Sequence, residues 1–169
     1  LNNASLLLVH TQAMKDKLTE LGVKTPMRII QLFDYYSSAP MANVEGTLRH
    51  KNDVVFAGNL SKSELLKDLF DDDTNKLTRF QLYGIKGELN LEGRTNIDYN
   101  GIFTPNDTST ICGGWGLVWD GYNIYACTGD YGNYLRYISS HKLSLYLTCG
   151  LPVIVWESKI GRASCRERV

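Results

Sequence analysis

The sequence predicts an α/β fold organised around a doubly wound parallel sheet. Short apolar runs typical of buried strands alternate with helical segments along most of the 169 residues. Each predicted strand also ends at a polar residue or a glycine, as strands do before a turn. This alternation favours a doubly wound sheet over a β-sandwich.

The first 40 residues predict one strand, helix, strand unit. Ser5–His10 is an apolar run suited to a buried parallel strand, and Thr11 is placed to cap a helix over Gln12–Leu21. Met27–Phe33 forms the second apolar run. Because both strands need neighbours, we expect residues 1–40 to be the end of a larger α/β domain and the segment that crosses to the next one.

A second sheet is predicted to follow a linker. Residues 41–52 mix Asn, Gly and charged residues without periodicity, which predicts a linker, and the second domain extends over 53–158. Asp53–Asn59 predicts its first strand. A helix over Leu60–Phe70 follows, opened by a capping box of Ser61 and Glu64.

The later elements continue the same alternation. Strands are predicted over Phe80–Gly84, Asn96–Phe103 and Trp115–Trp119. Thr104 and Pro105 open a predicted short helix that runs to Ile111, because proline suits the first turn of a helix. The tyrosine-rich segment Tyr122–Tyr134 has no clear periodicity.

The last predicted elements are a helix, a glycine turn and a strand. Apolar residues at helical spacing extend over Tyr134–Leu147, Gly150 ends the helix, and Leu151–Trp156 predicts a buried strand. An alternative helix start lies at Ser139 and Ser140. In that case the first amides of the helix and Lys142 point at one place, which suits an anion such as a diphosphate. A solvated surface lysine is the other interpretation, and the spacing leaves both open.

Two other strand ends carry candidate ligand residues. Gly58, Asn59 and Lys62 form the turn after one strand, and Asp120 follows another. Ligands of parallel α/β sheets bind at the carboxyl ends of strands, where glycine lets the backbone approach a phosphate. The alternatives are a plain strand-to-helix turn with a surface lysine and a simple Asp-Gly turn. The glycine spacing matches neither a dinucleotide fingerprint nor a P-loop.

Composition argues against several classes of partner. The net charge is zero and no basic cluster precedes Lys159, so no nucleic-acid partner is expected. No run of about 18 apolar residues occurs, which predicts no integral membrane segment. The four cysteines lack metal-ligand spacing, and Asp71, Asp72 and Asp73 are interpreted as a solvated loop. We therefore expect no metal site, and reduced thiols as in a cytosolic protein.

Four segments then occur in a characteristic order over about 100 residues: Ala57–Ser63, Tyr99–Phe103, Gly116–Gly121 and His141–Ile154. Together they resemble bacterial glycosyltransferases of the glucosyltransferase-three and β-1,6-galactofuranosyltransferase type. The resemblance implies a GT-B enzyme with two Rossmann-like domains and a cleft between them. The C-terminal domain of such an enzyme binds a nucleotide-sugar donor without a metal.

The resemblance also implies roles for individual residues. Lys62 and Lys142 would neutralise the donor diphosphate, and Tyr99 would lie near the nucleoside. Asp120, the candidate catalytic residue, and Ser144 would face the ribose or the donor sugar. Gly58, Asn59 and His141 complete the expected donor-binding set.

The implied activity is transfer of a hexose, of glucose or galactofuranose type, from a UDP-sugar to a glycan or glycoprotein acceptor. We expect no cofactor beyond that donor, and a cytoplasmic enzyme for which peripheral membrane association and a homo-oligomer stay open. Ser139 and Ser140 stand where many members have Asn-x-Pro, and Leu145 replaces a glutamate of the broader retaining enzymes. Stereochemistry is therefore not predicted. The alternative function is a non-catalytic glycosyltransferase-like subunit that binds a partner enzyme.

Both ends of the chain look cut. It begins without methionine, and residues 159–169 are rich in arginine without matching the family, so we interpret them as a non-native tail. We expect this chain alone to bind nucleotide weakly and to turn over nothing.

Overall fold

The computed structural model describes residues 1–30, 44–62, 66, 77–122 and 125–156. Every strand ladder in these residues is parallel, and the ladders form a two-stranded and a five-stranded sheet. The two-stranded sheet pairs β1 (Leu7–Val9) with β2 (Met27–Ile29). The five strands of the larger sheet are β3 (Val54–Asn59), β4 (Phe80–Ile85), β5 (Ile97–Tyr99), β6 (Trp115–Val118) and β7 (Val153–Val155). The predicted α/β class and parallel sheet are confirmed.

The predicted N-terminal strand, helix, strand unit is present. Helix α1 (Gln12–Glu20) connects β1 to β2, and the Thr11 hydroxyl accepts a hydrogen bond from the amide of Met14 at 3.1 Å, as an N-cap does. The same hydroxyl donates to the carbonyl oxygen of Tyr137 at 2.7 Å, so the cap also ties this unit to the rest of the chain. The last residues of the predicted second strand, 31–33, lie outside the described residues.

The five-stranded sheet reverses its strand order beside β3. The order is β5-β4-β3-β6-β7, so the chain first builds outward on one side of β3 and then returns to add strands on the other. This is a Rossmann-like arrangement, whose topological switch point lies between β3 and β6. Ligands of such sheets bind at the carboxyl ends of the two strands that flank that point.

The ladder between β3 and β6 is short, and the side chain of Tyr146 bridges the two strands by hydrogen bonds where the ladder ends. The two strands pair only at Val54 with Trp115 and at Val55 with Gly116. Further along, the buried Tyr146 hydroxyl accepts a hydrogen bond from the Ala57 amide at 2.9 Å, and it donates to a β6 carbonyl at 3.3 Å. A β-carbon at Gly116 would overlap the Tyr146 ring, so only glycine at this position leaves space for that ring between the strands.

Both faces of the sheet are covered by apolar side chains, as a parallel sheet requires. Val55 and Ala57 of β3 point into one core cluster with Tyr146, whereas Phe56 points into a second cluster with Leu82. This alternation along β3 buries a nearly continuous apolar run, which explains why the sequence of β3 shows no polar face.

Two helices arise where the sequence predicted none. Helix α2 (Val44–Arg49) lies within the predicted linker 41–52, and α3 (Gly129–Tyr134) lies within the tyrosine-rich segment. Both are single short stretches of about six residues, too short for an apolar face to repeat.

The predicted helix from Thr104 to Ile111 is wrong. Thr104 forms an antiparallel bridge with Asp107, whose amide donates to the Thr104 carbonyl at 3.1 Å. Pro105 therefore occupies the second position of a β-turn, where its fixed φ is favourable as well. Proline marked a turn here and not a helix start.

The final helix follows the alternative start. Helix α4 comprises His141–Thr148 with Ser140 as its N-cap residue, so the longer helix predicted from Tyr134 is wrong. The turn that terminates the helix contains Gly150, which has φ +72°. In this turn the Leu151 amide donates to the Tyr146 carbonyl at 2.9 Å. This is a Schellman ending, as the glycine predicted.

The turn after β3 is capped by a different residue from the one that the sequence predicted. A 3₁₀ helix occupies Leu60–Lys62, and the Asn59 side chain accepts hydrogen bonds from the Ser61 amide at 3.1 Å and its hydroxyl at 2.6 Å. Asn59 therefore caps this turn, and Glu64 of the predicted capping box lies outside the described residues. The acidic triplet 71–73 and the predicted tail 159–169 also lie outside them.

Candidate functional site

An ion pair occupies the switch point of the five-stranded sheet. Lys142, in the first turn of α4, donates to both carboxylate oxygens of Asp120, at 2.7 and 2.8 Å. Asp120 follows β6 by two residues, and α4 is the helix that directly precedes β7. Both side chains are therefore placed at the carboxyl edge, where a parallel sheet binds ligands.

The Lys142 side chain lies across the end of β3. Its ammonium is 4.9 Å from the ring centroid of Phe56, a cation–π distance. A β-carbon at Gly58 would lie 3.6 Å from Cε of Lys142, and Gly58 has φ +145°, which disfavours any other residue. With 16% of its side chain exposed, Lys142 is held by three neighbours and still reaches the surface.

The positive end of α4 adds to this charge. Ser140 is the N-cap residue, but its side chain makes no hydrogen bond to the first amides of the helix. The positive end of a helix dipole attracts anions. The structure thus brings an ammonium and a helix N-terminus to one edge, as the sequence predicted for a start at Ser140.

Tyr146 fixes the orientation of this helix. It lies four residues after Lys142, and residues at this spacing share a helix face. Burial raises the pKa of the Tyr146 hydroxyl, so this group stays neutral and can both accept from β3 and donate to β6. The helix that carries Lys142 is thereby anchored to both strands of the switch point.

The structure brings three of the predicted site residues together: Gly58, Asp120 and Lys142. His141 is the exposed first residue of α4. Ser144 is 3% exposed, and its hydroxyl donates to the His141 carbonyl at 3.0 Å. Their predicted contacts with a ligand stay predictions.

The other predicted residues lie around this group. Asn59 caps the turn after β3, and Lys62 belongs to the same turn, although its side chain lies outside the described part of the chain. Tyr99 ends β5 and is separated from β3 by β4. Its hydroxyl donates to the Gly84 carbonyl at 2.8 Å, at the end of that intervening strand. Its predicted place near the nucleoside stays a prediction.

Sequence reasoning missed the pairing of Asp120 with Lys142 and the contributions of Phe56 and Tyr146. The apolar pattern predicted that Phe56 lies in a buried strand, but it did not indicate a contact between its ring and Lys142. A signal for Tyr146 was available, because it lies between leucines in α4 and a hydroxyl needs a hydrogen-bond partner when it is buried.

Within the described residues, no three His, Cys, Asp or Glu side chains are grouped so that they could hold a metal ion. None of the helices in that part of the chain is long and apolar enough to cross a membrane.

A lysine and a helix N-terminus at the switch point of a Rossmann-like sheet are features typical of α/β domains that bind phosphate-containing ligands. Residues 54–165 match the model of the family described as Glucosyltransferase 3-like, C-terminal domain, and the chain belongs to this family. The family that the four sequence segments indicated is thereby confirmed. The matched range also includes the first part of the predicted tail 159–169, whose origin stays a prediction.

Two curated bacterial proteins are similar over nearly the whole chain. The chain is 29% identical over 160 residues to the β-1,6-galactofuranosyltransferase WbbI of Escherichia coli (strain K12), covering 93% of the chain and 46% of that protein. It is 26% identical over 160 residues to Glucosyltransferase 3 of Streptococcus parasanguinis, covering 92% of the chain and 42% of that protein. The chain thus spans less than half the length of these relatives. No solved structure matches it significantly.

Proposed function

We propose that the chain carries the donor-binding domain of a GT-B glycosyltransferase, which transfers a hexose from a UDP-sugar to a glycan or glycoprotein acceptor. The family match and the names of the two relatives support glycosyl transfer. The observation that carries the proposal is the ammonium of Lys142, held by Asp120 over Gly58 at the switch point.

In this proposal Lys142 stabilises the departing diphosphate. Negative charge grows on the phosphate when the bond to the sugar breaks, and an oriented cation lowers the energy of that state most. The ammonium has three N–H donors, of which Asp120 engages two, so the third can be directed at a phosphate oxygen. The positive end of the α4 dipole lies on the same side and favours the same charge.

Asp120 has two roles in the proposal. It orients Lys142 through the two short hydrogen bonds, and each carboxylate oxygen keeps a lone pair for another donor. A hydroxyl of the ribose or the donor sugar can supply that donor. Asp120 is then a positioning residue for Lys142 and a direct contact to the substrate.

We also propose that donor binding needs no divalent metal. Lys142 and the N-terminus of α4 meet the diphosphate charge that a magnesium ion neutralises in other enzymes. Chelation with EDTA should therefore leave nucleotide binding unchanged. A large loss of binding on chelation would contradict this part of the proposal.

The unit of β1, α1 and β2 fits the end of a second Rossmann-like domain. Its parallel pairing and its hydrogen bond from Thr11 to Tyr137 support a two-domain arrangement with the donor site near the boundary. The acceptor would then approach from the side of this unit.

Thermal unfolding with and without UDP tests the donor site. A ligand bound only by the folded state stabilises it by about 1.4 kcal/mol when its concentration is about ten times Kd. We expect UDP to raise the Tm of the chain, and Lys142→Ala to remove most of that rise. Lys51→Ala is the matched control, because Lys51 is an exposed lysine at the amino end of β3.

An equal UDP effect in Lys142→Ala and Lys51→Ala would contradict the proposed role of the ion pair. If UDP has no effect on the folded wild-type chain, the non-catalytic subunit becomes the better interpretation. Transfer itself is measured on the intact protein, by release of UDP from UDP-glucose and UDP-galactofuranose.

A further inference from the structure

The hydroxyl of Thr11 makes two hydrogen bonds with opposite roles. It accepts from the Met14 amide at 3.1 Å, which caps α1, and it donates to the carbonyl oxygen of Tyr137 at 2.7 Å. Capping needs only the acceptor, and an aspartate at this position caps a helix as well. A hydroxyl accepts and donates through the same atom. The bond to Tyr137 is therefore a separate feature of this position.

Tyr137 lies in the short connection between α3 and α4. Its amide donates to the carbonyl of Tyr134 at the end of α3, and three residues later Ser140 is the N-cap residue of α4. Ser140 is 5% exposed, and its carbonyl accepts the first hydrogen bonds of the helix. Three residues span at most about 11 Å, so the bond from Thr11 is made close to the start of the helix that carries Lys142.

Two further contacts hold this connection in place. The pKa of Lys17, in α1, is raised by the hydrogen bond and the charge of Glu20 and then by a weaker effect of Tyr137, so the phenol of Tyr137 also lies near α1. The guanidinium of Arg136, the preceding residue, lies 5.1 Å from the ring centroid of Trp156, which directly follows β7. Adjacent residues of the connection are thus tied to the N-terminal unit and to the end of the large sheet.

The first turn of α4 depends on this connection. Tyr146 holds the second turn of the helix between β3 and β6 through its hydroxyl. Lys142 lies one turn earlier, at the end of the helix that the connection enters. Its ammonium pairs with Asp120 at 2.7 and 2.8 Å only while the helix start keeps its position.

We propose that Thr11 is a positioning residue for Lys142. Its hydrogen bond to Tyr137 ties the start of α4 to the unit of β1, α1 and β2, and so holds the ammonium at the end of β3. The inference rests on the proposed function, in which Lys142 binds the donor diphosphate. It adds that the N-terminal unit and the donor site are coupled, because a contact that raises the affinity for UDP must itself be strengthened by UDP to the same extent.

Substitutions of Thr11 separate its two hydrogen bonds. Thr11→Asp keeps an acceptor for the cap but cannot donate to the Tyr137 carbonyl, whereas Thr11→Ser keeps both bonds. Thr11→Gly removes the donor without adding a charge and weakens the cap little. Ala13→Asp is the charge control, because Ala13 is an exposed residue in the same first turn of α1.

Amide chemical shifts of the ligand-free ¹⁵N-labelled chain are the first measurement. We expect Thr11→Asp and Thr11→Gly to shift the amides of His141 and Lys142, and Thr11→Ser and Ala13→Asp to leave them unchanged. The second measurement is the Kd for UDP. The net contribution of one hydrogen bond corresponds to about fivefold in an equilibrium constant, so Thr11→Asp and Thr11→Gly should raise this Kd by about fivefold. Thr11→Ser should restore the wild-type value.

Unchanged shifts of His141 and Lys142 in the aspartate and glycine variants would overturn the positioning role. An equal loss of UDP affinity in Ala13→Asp or in Thr11→Ser would also overturn it, as would wild-type UDP affinity in the aspartate and glycine variants. Absence of UDP binding by the folded wild-type chain would instead contradict the proposed donor site. The ligand-free shifts would then decide by themselves whether Thr11 positions the start of α4.

Discussion

The Tyr146 hydroxyl offers a quantitative test of the geometry at the switch point. It is buried and accepts a hydrogen bond from the Ala57 amide at 2.9 Å, and it donates to the Leu117 carbonyl at 3.3 Å. Tyr146→Phe removes this oxygen and keeps the ring in place. The Ala57 amide then loses its partner in a site that water does not reach.

Leaving a buried donor unsatisfied costs about 1–3 kcal/mol, and the longer bond to Leu117 adds little. We therefore expect Tyr146→Phe to lower the free energy of unfolding by about 2 kcal/mol, or the Tm by about 4–8 °C for a chain of this size. Urea unfolding measures the difference. Tyr134→Phe is the control, since its half-exposed hydroxyl should change stability by less than about 0.5 kcal/mol. A loss that small in Tyr146→Phe would refute the bridging role of the hydroxyl.

Two further substitutions test other contacts by urea unfolding. Gly84→Ala would drive a β-carbon into the carbonyl oxygen of Gly58 at φ +127°, and should cost more than about 3 kcal/mol. Gly93→Ala, at φ +73° in open space, should cost about 1 kcal/mol, and equal losses would contradict the close approach of β3 and β4. Hydrogen bonds from Arg79 lower the pKa of the Asp98 carboxyl in the folded chain. This ion pair therefore stabilises the fold above about pH 4, and its contribution is lost as the pH falls through the folded pKa of Asp98. Asp98→Asn should remove that part of the acid dependence, and an unchanged slope of unfolding free energy against pH would exclude the pair as its source.

Periodic segments could be predicted well from the sequence. The strands β3 and β4 were found because continuous apolar runs indicate strands buried on both faces. Helix α1 was found because Thr11 marks its start and an apolar spacing follows. These features depend on local sequence alone.

Tertiary contacts decided the elements that were missed. Helix α3 is six residues long, and Gly132 is buried against the backbone of Cys127 and Asp120, a packing contact that no local pattern reveals. Pro105 suits a helix start and a turn equally, and the bridge between Thr104 and Asp107 selects the turn.

The candidate site shows the same division. Gly58, Asp120 and Lys142 could be chosen singly, because each follows a strand or opens a helix at the edge where ligands bind. Their mutual contact could not be derived, since it depends on β6 lying next to β3 and not next to β5. The strand order, a property of the whole domain, brings the ion pair to the end of β3.

A titration of the ¹⁵N-labelled chain with UDP, followed by amide chemical shifts, tests the central claim most directly. The account predicts the largest shifts at Gly58, Asp120 and Lys142, around the carboxyl ends of β3 and β6. Asn52 and Gly114, at the amino ends of the same strands, should stay unchanged. Shifts concentrated at the amino ends, or saturable UDP binding that leaves the first turn of α4 unaffected, would contradict a donor site at the switch point.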